Sequence, residues 1–158
     1  MIELDFEDFH DQKYEETGYA LYVMKNGLGD VLYVGVSTRS IWDRWFGWNG
    51  HLLWVKNVVE GNSSIGQKIV DHLPDSLKWK MQLWTPEECA TFCIDLIPSD
   101  MQNPSLSFLE AFMIQKLSPI LNVNYNSKPG KDTTSKSRKE FEREKRFDNL
   151  YKDIFDKK

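Results

Sequence analysis

Two phenols, one guanidinium and one carboxylate stand out in this chain, because each occupies a run of residues that leaves its polar head in need of a partner. Tyr22 and Tyr33 lie on Ala20-Leu21-Tyr22-Val23 and Leu32-Tyr33-Val34-Gly35, two short runs rich in β-branched and aromatic residues that read as strands. Arg44 sits inside Ile41-Trp42-Asp43-Arg44-Trp45-Phe46, where aromatic surface can cover its stem while the guanidinium seeks an anion. Glu110 interrupts Leu106 to Ile114, a stretch apolar on nearly every face. A helix apolar all round is buried, and a carboxylate buried without a partner is strongly penalised or stays protonated. As structure alone, Glu110 and Arg44 pair with each other, or Arg44 pairs with Asp43 or another acid. As chemistry, Glu110 holds a divalent metal and Arg44 holds a phosphate, with the tyrosines beside both.

The elements that must position these groups can be placed coarsely. Asn26-Gly27-Leu28-Gly29 supplies residues that tolerate positive φ, so the two tyrosine runs form a hairpin. A four-residue loop pairs Lys25 with Asp30 and sets Tyr22 directly across from Tyr33, whereas a five-residue loop puts the phenols on opposite faces. Ser40 followed by Asp43 predicts a capped helix from Ile41 to Gly47, and Asn49-Gly50 marks a turn before His51. A second helix is expected over Ile65 to His72 and a third strand over Leu77 to Trp84, where Trp79, Met81 and Leu83 alternate with Lys78, Lys80 and Gln82. Thr85-Pro86-Glu87-Glu88 starts another helix. Asn103-Pro104 opens the last core helix, which stops near Ser118-Pro119.

Composition bounds the answer. With 158 residues, 41% of them hydrophobic, the chain suits one domain with a sizeable core. No run approaches the roughly 18 apolar residues that span a bilayer, and the acidic N-terminus is unlike a signal peptide, so a soluble cytoplasmic protein is expected. Cys89 and Cys93 are too few for a disulfide framework and lack a second ligand pair for zinc, which leaves them as reduced core thiols. Residues 1–126 carry 9 Lys and Arg against 17 Asp and Glu, a net of −8, while residues 127–158 carry 11 against 7, a net of +4. The division falls at Ser127-Lys128-Pro129-Gly130. Beyond it, Phe147, Leu150, Tyr151, Ile154 and Phe155 recur at helical spacing, with Arg138, Lys139, Arg143, Lys145 and Arg146 upstream or on other faces. This basic amphipathic segment either docks, on the domain or on a second subunit to form a homodimer, or contacts phosphates.

In this order the parts resemble the GIY-YIG nuclease superfamily. The motifs are Ala20-Leu21-Tyr22, then Tyr33-Val34-Gly35 with Ser37, the helix arginine Arg44, the helix glutamate Glu110, and Pro119-Ile120-Leu121-Asn122. The resemblance covers roughly residues 17–126, between an acidic segment, 1–16, and the basic linker and helix, 127–158. It implies an α/β protein of the α+β kind, a small three-stranded antiparallel sheet flanked by helices. It also implies an endonuclease that hydrolyses phosphodiester bonds, in branched or duplex DNA, with one Mg²⁺ or Mn²⁺ ion on Glu110. Arg44 would hold the scissile phosphate, Tyr22 would deprotonate or orient the attacking water, and Tyr33 would support that network. Val36 stands where some family members have a lysine, so removal of the phenol proton falls to His51, bulk water or another group. Asn122 would organise the site by hydrogen bonding. Two other classes remain open: a nucleic-acid-binding or interaction module that keeps the fold without turnover, and a regulatory partner protein that docks through the basic helix.

Overall fold

The computed structural model describes residues 1–122 except Glu15 and Asn57; the basic segment, with Arg138, Lys139, Arg143, Lys145 and Arg146, lies outside the described residues. Strands β2 (Leu21–Lys25) and β3 (Val31–Val36) form the expected hairpin, but in a different register. Lys25 pairs with Val31, Met24 with Tyr33, and Tyr22 with Gly35, across an irregularity between Met24 and Lys25. The loop chemistry explains the shift. Asn26 Oδ1 accepts hydrogen bonds from the amides of Leu28 (3.1 Å) and Asp30 (3.0 Å), Asn26 N–H donates to the Asp30 carbonyl (3.0 Å), and Gly29 takes φ +90°. The turn thus closes on Asn26 and Asp30, one pair further in than expected, and Leu32 becomes the extra residue of a bulge. Loop and bulge together move the register by two residues. Side-chain parity survives, and both phenols face the same way on a diagonal.

The sheet has four strands, not three. Strand β6 (Lys80–Trp84) pairs with β2, and β1 (Ile2–Asp5) pairs with the far side of β6, all antiparallel, in the order β1-β6-β2-β3. Residues 1–16 therefore supply a strand and a helix, α1 (Phe6–Asp11). Strand β6 starts at Lys80 and not at Leu77, because Asp75–Lys78 wind into a 3₁₀ turn. A separate two-stranded ribbon, β4 (Leu52–Val55) with β5 (Val58–Gly61), fills the stretch between His51 and α3 (Ser64–Asp71).

Helices and ribbon cover both faces of the sheet. On the face carrying Tyr22, Met24, Met81 and Leu83, the core is built by Phe6 and Phe9 of α1, Trp45 of α2 (Ile41–Phe46), Leu52 of β4, and Ile65 and Ile69 of α3. Leu21, Val23 and Val34 face the other way, under Cys89 and Cys93 at α4 (Pro86–Phe92) and its C-cap and Leu109, Met113 and Ile114 of α5 (Leu106–Leu117). Both thiols are free, and burial pushes Cys89 up to about 12, so it has no thiolate chemistry near neutral pH. The caps follow the sequence at α2, where Ser40 Oγ accepts from Asp43 N–H (3.1 Å), and at α4, where Thr85 and Glu88 form a reciprocal capping box. Helix α5 begins later than expected. Asn103 is left-handed at φ +49°, and Ser105 caps instead, its Oγ accepting from Phe108 N–H (3.3 Å). No helix among the described residues is long and apolar enough to cross a membrane.

After α5, left-handed Ser118 turns the chain alongside the free edge of β3. Ile120 N–H donates to the Val31 carbonyl (3.1 Å) and Leu121 N–H to the Leu32 carbonyl (2.9 Å). The Asn122 side chain completes the ladder: its Oδ1 accepts from Val34 N–H (2.9 Å) and its Nδ2 donates to the Val34 carbonyl (2.8 Å). A side-chain amide thus replaces a peptide group of a fifth strand. Asn122→Ala should destabilise the domain by about 1–3 kcal/mol, read from urea unfolding, because two backbone groups lose their partner. Asn122→Asp should not restore stability, since a carboxylate can serve the Val34 N–H but repels the Val34 carbonyl.

Candidate active site

The core beneath the Tyr22 face is aromatic, yet it contains a chain of three polar groups. Tyr22 and His51 are each 1% exposed. Tyr22 Oη lies 2.6 Å from His51 Nε2, and His51 Nδ1 lies 2.6 Å from Ser63 Oγ. Three elements converge to make this chain: β2 holds Tyr22, the turn after α2 delivers His51, and the β4–β5 ribbon brings Ser63 back as the N-cap of α3. Two glycines allow the approach. A Cβ on Gly35 would stand 2.3 Å from the Tyr22 ring and hydroxyl, and one on Gly66 would stand 2.0 Å from the His51 carbonyl oxygen. The tyrosine ring lies flat over Gly35, and the first turn of α3 lies against His51.

Two proton arrangements satisfy this chain. Ser63 Oγ accepts from Gly66 N–H (3.2 Å), and Nδ1 of His51 is its other hydrogen-bond partner. A hydroxyl has one donor and two acceptor sites, so Ser63 Oγ either donates to Nδ1 or accepts from an Nδ1–H. A neutral imidazole carries one N–H, so in the first case Nε2–H donates to Tyr22 Oη and in the second Nε2 accepts the phenol proton. The ring is neutral: burial, with the charges of Arg44 and Arg39, lowers the His51 pKa to about 3. His51 Nε2 is thus within reach of the Tyr22 hydroxyl, where it can accept the phenol proton or donate to a phenolate.

The other groups surround this chain. The Tyr22 and Tyr33 rings stack with centroids 6.2 Å apart, and His51 meets Tyr33 edge-on at 5.6 Å. Burial raises both phenols. The Tyr33 charge raises Tyr22 further, the nearby Arg44 lowers both, and Glu110 raises both. Arg44 and Glu110 consequently act on the same two oxygens from α2 and α5, although they form no ion pair with each other. Arg44 donates from Nη1 to the Asn49 carbonyl (3.3 Å), and the alternative pair with Asp43 does not form either. Helix α5 is less enclosed than its sequence suggests, with Phe108 51% exposed, and Glu110 is half-buried. Burial raises its pKa, and among the described residues it has neither a cation nor a hydrogen-bond donor. Asn122 stands apart from the reacting groups and pins the backbone of Val34, between Tyr33 and Gly35.

Ser63 was not singled out from the sequence, although Ser63-Ser64 before Ile65 is a helix-start signal; linking it to His51 requires the intervening ribbon. No group of three or more His, Cys, Asp or Glu side chains among the described residues could hold a metal ion. One desolvated carboxylate beside an open face still suits Mg²⁺, which keeps several waters and often takes only one or two protein carboxylates together with substrate phosphate oxygens. Glu110 fits that donor set, while the neutral His51 is occupied on both nitrogens.

Gly35→Ala should displace the Tyr22 ring, cost about 1–3 kcal/mol in urea unfolding, and remove the downfield NMR signal of the proton shared between Tyr22 Oη and His51 Nε2. A second expectation concerns acid. Unfolded His51 takes up a proton near its ordinary value of 6.5, but in the fold only near pH 3, so the unfolded state binds more protons between these values. The contribution of His51 to stability is complete above that window and is lost as pH falls through it. The melting temperature of the native chain should drop more steeply from pH 6.5 to 4 than that of His51→Gln.

No protein-family model matches the chain, and no curated protein or solved structure is detectably similar to it.

Proposed function

We propose that this chain is a divalent-metal-dependent endonuclease that hydrolyses phosphodiester bonds in DNA, in a domain similar to the GIY-YIG nucleases. The observation that carries the reading is the Tyr22–His51–Ser63 chain beside a carboxylate, Glu110, and a guanidinium, Arg44, whose charges both act on its phenol and which form no ion pair among the described residues. Structural charge pairs neutralise one another; these two groups stand apart on either side of the phenols. When bound at Glu110, Mg²⁺ or Mn²⁺ supplies a Lewis acid for a phosphoryl oxygen and offsets the negative charge that opposes phenol ionisation. Arg44 directs its remaining donors at the scissile phosphate and at the charge that develops on it. Tyr22 gives up its phenol proton to His51 Nε2 or to bulk water and, as a phenolate stabilised by Arg44, accepts a proton from the attacking water. Tyr33 stacks beside Tyr22 and keeps its ring in place. The basic residues Arg138, Lys139, Arg143, Lys145 and Arg146 add affinity for the backbone, or join two copies of the chain.

One observation favours a second reading, a nucleic-acid-binding module without turnover. Burial holds the Tyr22 phenol protonated far above neutral pH, so the group cannot act as a base by itself.

Supercoiled plasmid incubated with Mg²⁺ or Mn²⁺ should be nicked or linearised by the native chain and left intact with chelator, or with a folded Glu110→Ala variant. Arg44→Gln should lower the rate by roughly 10²- to 10³-fold, the usual effect of removing a donor aimed at developing charge. Intact plasmid, branched DNA and RNA under every metal would leave the binding module. A separate readout needs no turnover: Mn²⁺ should raise the melting temperature of the native chain and leave that of Glu110→Gln unchanged. Without metal, Glu110→Gln should melt higher at pH 7 than the native chain, because the desolvated charge is gone. That advantage should vanish once acid protonates Glu110 in the native fold.

A further inference from the structure

Of the six tryptophans in the chain, five pack into the two cores or against them: Trp45, Trp79, Trp42, Trp54 and Trp84. Trp48 does not. It is 84% exposed, on the turn that joins α2 to His51. An indole left in water gains nothing for the fold, and the turn holding it is firmly tied. Arg39 Nη2 donates to the Trp48 carbonyl (2.6 Å), Arg44 Nη1 to the adjoining Asn49 carbonyl (3.3 Å), and Gly50 N–H to the Gly47 carbonyl (2.9 Å). Both arginines of residues 1–122 thus donate to the backbone at two consecutive residues, and neither meets a carboxylate among the described residues. Lys78, Lys80 and Lys116, by contrast, sit on Glu7, Asp5 and Asp95. Both guanidiniums also lie close enough to His51 to depress its pKa, so this turn borders the site directly.

We propose that Trp48 is a stacking platform for an unpaired nucleobase next to the scissile phosphate, with Arg39 holding the phosphate on the far side of that nucleotide and Arg44 the one in the site. This rests on the reading of the site as a nuclease site. A base in a duplex is already stacked on both sides, and only an unstacked one can lie on the indole while its flanking phosphates meet the guanidiniums of Arg39 and Arg44, which are tied to adjoining carbonyls. The preferred substrate is then a nucleic acid with a single-stranded arm or gap at the cleavage point, and fully paired duplex is the poorer ligand.

The test is fluorescence anisotropy of the full chain in chelator, where no cleavage occurs, on labelled DNA duplexes with and without a five-nucleotide single-stranded arm, and on RNA versions of both. The native chain should bind the armed form more tightly. Trp48→Ala should lose about 5- to 100-fold in affinity for it, the range expected for one base–aromatic stack, and Trp48→Phe should recover most of that loss. Arg39→Gln should weaken the armed form as well and make its binding less dependent on salt. Equal binding of armed and paired forms by the native chain, or an unaltered preference in Trp48→Ala, would overturn the proposal even if the plasmid is cut. A preference lost with Trp48 in a chain that cuts nothing would uphold the platform and sink the nuclease reading. Absence of both binding and cleavage would remove both.

Discussion

Everything around the site depends on two polar side chains, Tyr22 and His51, being buried together in an aromatic core with Ser63 at its margin. Tyr22, His51 and Ser63 come from a strand, a turn and a helix cap, and the imidazole between the two hydroxyls keeps both of its hydrogen bonds only while both are in place. An unsatisfied buried donor or acceptor costs about 1–3 kcal/mol, so the trio behaves as a single unit. Its geometry determines its neighbours: glycine at 35 under the phenol ring, glycine at 66 against the His51 backbone, and a ribbon of the length needed to bring residue 63 back to residue 51.

The charges divide around this unit. Burial, reinforced by the charges of Arg44 and Arg39, keeps His51 neutral, while burial and, from α5, the charge of Glu110 oppose ionisation of both phenols. The resting site is thus poised between a positive and a negative group that do not meet. Residues 1–126 are acidic overall, at a net of −8, yet Lys78, Lys80 and Lys116 sit on carboxylates while the two guanidiniums beside the site form no ion pair among the described residues. A polyanion repelled by the domain at long range meets local positive charge here.

Local chemistry was legible in the sequence and long-range pairing was not. The Ser40 and Thr85 caps, the Asn-Gly turns and the two tyrosine strands were written in neighbouring residues, and these place Tyr22, Tyr33, Arg44 and Glu110 around one region. The hairpin register was not legible, because Asn26 satisfies two amides with its side chain and so competes with the simple loop count. The facing of the phenols still came out as expected, since a two-residue shift preserves parity. Strand β1 was missed because four residues alternating Ile2, Glu3, Leu4, Asp5 carry too short a pattern to stand out from an acidic segment, and its partner β6 lies more than 70 residues away. The ribbon was missed too, and with it Ser63.

The way α5 hands the chain over to Asn122 has a further meaning for solubility. A bare edge strand offers unpaired amides and carbonyls to any other strand that comes near, and β3 would be such an edge, with Tyr33 on it. Ile120, Leu121 and the Asn122 amide occupy that row of groups, so the sheet cannot extend past the site by recruiting a second molecule. Its opposite border, β1, is only four residues long and carries Glu3 and Asp5, a short charged edge of the kind that discourages strand addition. The residues that brace the candidate site are thus also the ones that close the sheet against self-association.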